Sequence, residues 1–234
     1  RKSGTCDLGD GQKVELVDLP GLYSLAAASP DEQVVIDALS GNIAGDRRPD
    51  AVVLVVDSTN LLRNLFLASQ VAELGRPVVI VLNQADVAKE QGLRIDTELL
   101  SRRLGGVPVV LSSAWKGEGI LDVRRAIGRA ITQQTQMKRV AWPTNIAAAL
   151  VDVATSAAAD TGKPISEAEA QRLLFDTNPS TADRLGWTLA QREKTLRTAR
   201  DRVRNSGYNP MAAEPLVHYA HLRLILEGVV TEGA

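Results

Sequence analysis

The sequence predicts an α/β fold: a parallel sheet covered by helices over residues 1–138, then a small all-α helical bundle over residues 139–234. Three observations carry this. Short β-branched runs alternate with helical stretches through the first two thirds of the chain. The runs are apolar without interruption, as in strands buried on both faces. From about residue 142 onward no strand-like run remains.

The elements follow in order. Residues 3–8 and 13–17 flank Gly9-Asp10-Gly11 and read as a β-hairpin, since an Asp-Gly pair supplies the positive φ of a tight turn. An antiparallel edge pair leading into a parallel series is a common mixed sheet. A helical stretch surrounds residues 32–39. The run 51–56 precedes a helix over 61–74 ended by Gly75, and 77–82 precedes one over 96–104 ended by Gly105-Gly106. The run 107–111 precedes a helix over 120–131. Residues 144–161 form an Ala-rich helix stopped by Gly162. Ser166-x-x-Glu169 is a capping box opening a helix to Asp176. Thr188-Leu189-Ala190-Gln191 opens another, with Gly207 beyond its end, and 214–229 is the last helix, with Pro215 in its first turn.

Composition narrows the function. Of 234 residues, 27 are Lys or Arg and 28 are Asp or Glu, so the net charge is −1. From residue 142 onward the count is 10 against 11. Neither part is basic, so nucleic acid is not an expected partner. Aromatics are 3%, too few for a base-stacking platform. The single cysteine, Cys6, allows no internal disulfide and reads as a small buried apolar group. No run reaches the ~20 apolar residues that span a bilayer. The chain opens without Met and is expected to begin within a longer protein.

Three strand ends carry chemistry. Asp18-Leu19-Pro20-Gly21 follows the second strand; its Asp can hold Mg2+, through water, and Gly21 can bring its N–H to a γ-phosphate without a Cβ in the way. Asn83-Gln84-Ala85-Asp86 follows the run 77–82. A carboxylate there accepts both N1–H and the exocyclic amine of guanine, a donor pair that adenine lacks. Asn83 can bond the purine edge and tie neighbouring loops. Ser113-Ala114-Trp115 follows 107–111, where the Ala114 N–H can donate to guanine O6. Each motif alone is an ordinary turn; the ordered set reads as guanine-nucleotide binding. A phosphate cradle G-x-x-x-x-G-K-S/T does not occur: residues 4–9 have the glycine spacing, but Asp10 stands where Lys would.

The segments 14–25 (VELVDLPGLYSL), 29–33 (SPDEQ), 57–67 (DSTNLLRNLFL), 81–88 (VLNQADVA) and 112–120 (SSAWKGEGI) resemble the cytosolic GTPase domain of ferrous iron transport protein B, the FeoB family. Arg1-Lys2 resembles the end of that family's first switch, and Trp142-Pro143-Thr144-Asn145 onward its helical domain. The resemblance implies a Ras-like P-loop GTPase sheet whose first strand and phosphate loop are absent here. It implies GTP and GDP as ligands, Mg2+ as cofactor, K+ in some members, and slow hydrolysis regulating a bacterial Fe(II) permease. The partner is then the permease region of the same polypeptide, at the cytoplasmic face of the inner membrane, with homo-oligomerisation open. Leu19, Pro20, Leu22, Tyr23 and Ser24 would form the second switch. Leu22 stands where many GTPases carry a water-orienting Gln, and Gln84 where Lys is commoner. Two rival expectations are a ribosome-assembly GTPase and a non-catalytic interaction module. His218 and His221, and the face of Arg197, Arg200 and Arg204, read as packing or solvated groups.

Overall fold

The computed structural model of the chain describes residues 2–9, 11–25, 30–41 and 47–232. Arg1, Asp10 and Ser29, each part of an expectation above, lie outside them. The chain forms two compact units. One takes residues 1–25, 31–139 and 221–234, the other 26–30 and 140–220.

The first unit opens with β1 (Lys2–Asp7) and β2 (Lys13–Asp18), antiparallel with Lys2 opposite Asp18 and Asp7 opposite Lys13. Gly9 and Gly11 have φ of 97° and 84°, which the turn requires of them. The expected mixed sheet does not form: among the described residues the hairpin pairs only with itself. Its strands are mostly polar and exposed, and it docks instead through Leu8 and Val14 against Val79, Val81, Val110 and Ile127. Cys6 is half-buried, not buried as expected, since it sits in an exposed strand.

After α1 (Pro30–Ser40) come β3 (Val52–Asp57), α2 (Leu61–Ala72), β4 (Val78–Asn83), α3 (Ala85–Glu90), β5 (Leu93–Ile95), α4 (Thr97–Arg103), β6 (Val109–Leu111) and α5 (Ile120–Gln133). Strands β3, β4 and β6 form a parallel sheet with β4 central. The continuous apolar run of β4 is the reason: Val78, Val79, Ile80 and Leu82 are fully buried. Each contributes up to about 1.5–3 kcal/mol from leaving water. Helix α2 covers the sheet with Leu61, Leu65, Ala68 and Ala72, spaced to share one face. Helix α4 starts where Asp96 accepts the Leu99 N–H at 2.8 Å.

One expectation about the last third is corrected. A strand, β7 (Val230–Glu232), does occur there and pairs antiparallel with β5, Ile95 opposite Val230. Three residues are too few to show alternation, so neither strand is visible in the sequence. The Asp96 N–H donates to the Val229 carbonyl at 2.9 Å, extending the pairing.

The second unit is helical: α6 (Thr144–Thr161), α7 (Glu167–Phe175), α8 (Ser180–Leu185), α9 (Leu189–Asn205) and most of α10 (Pro210–Leu226). Ile146, Ala149, Leu150, Val153 and Ala157 of α6 pack on Leu173, Leu174 and Phe175 of α7 and on Trp187. Trp187 is buried whole, and its Nε1 donates to Asp160 at 2.8 Å. Both capping boxes form as read from the sequence. Helix α8 was not expected. Helix α10 begins four residues earlier than expected, because Asn209 accepts the Met211 N–H at 3.0 Å and Pro210 takes the first position. Pro215 therefore lies inside the helix and not in its first turn.

Candidate functional site

The parallel register sets Asp57 directly opposite Asn83 at the carboxyl ends of β3 and β4. In parallel α/β sheets this is the edge where ligands bind. The loops after these strands are laced together. The Ser58 Oγ and N–H both donate to the Asn83 carbonyl, at 2.6 and 3.0 Å. The Ala85 N–H donates to the Ser112 carbonyl at 3.1 Å, and Asn83 Oδ1 accepts the Ala114 N–H at 3.0 Å. The amide expected to face guanine O6 is thus donated within the protein. Asn83 bonds the loop after β6, as one of its two expected roles requires. Between Asn83 and Asp86, Gln84 holds φ of 60°. That left-handed backbone costs a non-glycine residue about 1–2 kcal/mol and turns the chain sharply into α3.

Asp86 stands in the first turn of α3, with Lys116 Nζ 3.0 Å from its Oδ2. That bond holds the Asp86 carboxyl below the usual carboxylate range; slight burial opposes it, and a hydrogen bond from Ser113 supports it. Asp86 is therefore ionised at neutral pH and acts only as an acceptor. Glu90 lies 4.0 Å from the same ammonium. The turn 113–118 is closed by its own backbone, Glu118 N–H to the Ser113 carbonyl at 3.0 Å, and Ser112 Oγ donates to the Glu118 carbonyl at 3.0 Å. Trp115, on the outside of this turn, is 96% exposed and shields nothing.

Beside the cluster lies a cavity of about 290 Å³ lined by Tyr23, Asp57, Asn60, Arg63, Asn83 and Gln84, among others. Asp57 Oδ1 accepts the N–H and hydroxyl of Thr59, at 2.8 and 2.7 Å, and so starts the turn into α2. The Arg63 guanidinium lies 4.3 Å from the centroid of the Tyr23 ring, a cation–π contact. Two turns along the same helix, Gln70 Oε1 accepts the Leu25 N–H at 2.8 Å. The segment after Gly21 therefore runs along α2, anchored at Tyr23 and Leu25. Spacing gave no sign of Arg63 or Gln70; Asp57 and Asn60 carried the strand-end position as their signal.

The structure brings Asn83, Asp86, Ser113 and Ala114 together. It does not bring Asp18 or Gly21 into the cavity lining. The Asp18 carboxylate, at the exposed end of β2, has no hydrogen bond or ion pair among the described residues. A lone unpaired carboxylate fits the single protein ligand that Mg2+ often takes beside phosphate oxygens. A Cβ on Gly21 would meet no described atom within 4 Å, so space for a close approach exists. Leu19, Pro20, Leu22 and Ser24 are half-buried. Among the described residues no three His, Cys, Asp or Glu side chains converge on a metal position. His218 is buried edge-on against Trp142, ring centroids 5.5 Å apart.

The family model described as ferrous iron transport protein B matches residues 1–127. The chain is 44% identical over 133 residues to the Fe(2+) transporter FeoB of Salmonella typhimurium, and 42% over 133 residues to that of Escherichia coli K12. Each match covers 55% of this chain and 16% of the relative, so the chain spans well under a fifth of those proteins. The cytosolic domain of L. pneumophila FeoB superposes with a TM-score of 0.78 at 27% identity, covering 98% of this chain and 85% of that one. The mGMPPNP-bound S. thermophilus NFeoB gives 0.77 at 29%, covering 97% and 83%. A GDP-bound variant of the S. thermophilus protein gives 0.78 at 27%, covering 98% and 90%.

Proposed function

The chain belongs to the ferrous iron transport protein B family, and from that premise we propose that it is a guanine-nucleotide-binding domain that hydrolyses GTP to regulate Fe(II) transport. The observation that carries this is the Asn83–Asp86–Ala114 cluster with its ionised carboxylate. Asp86 presents two oxygens in acceptor form, matching the N1–H and amine of guanine; adenine offers no such pair. The Lys116 ammonium lies 3.0 Å from one oxygen of this carboxylate, so guanine competes with it for Asp86. Asn83 and Ala114 hold the loop that frames the base edge, with Ser113 behind Asp86.

Asp18 would hold Mg2+ through water, and the ion would neutralise phosphate charge when bound. Gly21 offers its N–H to the γ-phosphate. Hydrolysis is a water attack at that phosphorus, with GDP leaving, and positioning does most of the work. Leu22 cannot orient the water, so the reaction is expected to be slow. The relatives bound to GDP and mGMPPNP support this ligand class. In the same reading the domain acts at the cytoplasmic face of the inner membrane beside a permease; among the described residues no helix is long and apolar enough to cross a membrane.

The test exchanges the base. Asp86→Asn replaces a two-acceptor group with one that donates as well. It should weaken GDP binding by about a hundredfold, the worth of a charge-assisted pair. It should also raise affinity for xanthosine diphosphate, whose C2 carbonyl accepts from Asn. An Asp86→Asn chain that binds GDP as well as the native one removes Asp86 from the site.

A further inference from the structure

The helical unit carries a groove that the nucleotide site does not use. Its volume is about 390 Å³ and it runs along α9, walled on the other side by Leu173, Ala182 and the 176–179 loop. On α9, Leu189, Leu196, Arg197, Arg200 and Arg204 line it. Their spacings of seven, one, three and four residues keep them along one side of the helix. From Leu189 to Arg204 this side runs for about 22 Å, at 1.5 Å per residue. Leu189 is 66% exposed at one end, an apolar side chain facing water.

The groove lining carries four arginines, Arg192 included, against the carboxylates of Asp176 and Glu193, so its positive charge is incompletely compensated. Arg200 donates to the carbonyls of Leu174 and Asp176, at 3.0 and 3.2 Å, and has no carboxylate partner among the described residues. Burial first, and then the charge of Arg204, make its guanidinium less favourable than usual. An incoming anion would offset the repulsion from Arg204. Arg197 pairs with Glu193 at 2.9 Å and Arg204 with Asp201 at 2.5 Å, but all four side chains are well exposed. Exposed pairs of this kind contribute about 0–1 kcal/mol and exchange readily for another carboxylate.

We propose that this groove docks an acidic amphipathic helix of a partner protein, its leucine-type face on Leu189 and Leu196 and its carboxylates on Arg197, Arg200 and Arg204. A concave channel along a helix axis accepts a convex element, in the manner of helix-in-groove recognition. Arginines at positions 197, 200 and 204 repeat at the interval at which a facing helix repeats its own side chains. A free phosphate would leave the leucines uncovered, and a flat bilayer would not enter the groove. The proposal is independent of guanine binding, since every residue it uses lies in the helical unit.

The experiment uses the whole chain and a fluorescein-labelled helical peptide with Leu on one face and Glu flanking it, read by anisotropy. The same peptide with Lys for Glu is the control. The expected result is saturable binding of the acidic peptide only. The double variant Arg197→Glu/Arg204→Glu should weaken it by at least about tenfold and bind the Lys peptide instead. Circular dichroism checks the fold of the variant. Should it unfold, Arg197→Gln/Arg204→Gln serves in its place, with about a threefold loss expected for neutralisation. Equal binding of both peptides, no effect of either variant, or no saturation by about 1 mM acidic peptide overturns the proposal. So does sedimentation of the native chain with phosphatidylglycerol vesicles when the acidic peptide fails to bind.

Discussion

Asp86 and Lys116 show how a site is poised at the scale of single residues. The spacing N-x-x-D placed Asn83 and Asp86 on a strand-end turn, and the hydrogen bonds tie that turn to the loop after β6. Lys116, from the loop after β6, holds Asp86 at 3.0 Å. Sequence spacing cannot reveal such a pairing, since Lys116 comes to Asp86 across two loops. The pairing has a consequence. Lys116→Met removes the cation that competes with guanine for Asp86, so GDP should bind a few-fold more tightly, since a solvent-screened pair is weak. Fluorescence or calorimetric titration of the variant measures this. Weaker binding would mean that Lys116 contacts the ligand directly.

At the scale of elements, the strong periodic signals were legible and the short nonlocal ones were not. Both capping boxes and the Gly162 stop stood where their residues placed them. The unbroken apolar run of β4 told of a strand buried on both faces. Strands β5 and β7 have three residues each and exist because they pair across the chain. Their neighbour is a cap that no spacing rule finds. The Arg103 Nη1 donates to the carbonyls of Leu224 and Ile225, at 3.1 and 2.8 Å, and to that of Glu227. These are the orphan carbonyls at the end of α10, and a guanidinium there also complements the helix dipole. Arg103→Ala should therefore cost about 1–3 kcal/mol and speed amide exchange over residues 224–232. Exchange that is unchanged there would show the cap to be idle.

At the scale of the whole molecule, stability should depend on pH through His221. Its Nε2 is buried without a hydrogen bond, and burial first, then the charge of Lys138, hold its pKa below 6.5. The folded state thus binds a proton less readily than the unfolded state. The contribution of His221 is complete above about pH 6.5, the unfolded value, and is lost as pH falls towards the depressed folded one. Thermal melts between about pH 7 and 5 should flatten in His221→Gln. An equal slope in both proteins would exclude this histidine. Residues 221–234 join the first unit, where β7 pairs with β5, a pairing that two three-residue strands do not announce in the sequence.

The central claim is that the strand-end cluster reads guanine. It is tested most directly by titrating the isotope-labelled chain with GDP and with ADP, following the Ala114 amide and the Trp115 indole N–H by NMR. Both probes sit on the turn beside Asp86, and the indole is free in solvent. The account predicts saturable shifts at both with GDP and none with ADP. Shifts of equal size with ADP, or none with GDP, would contradict it.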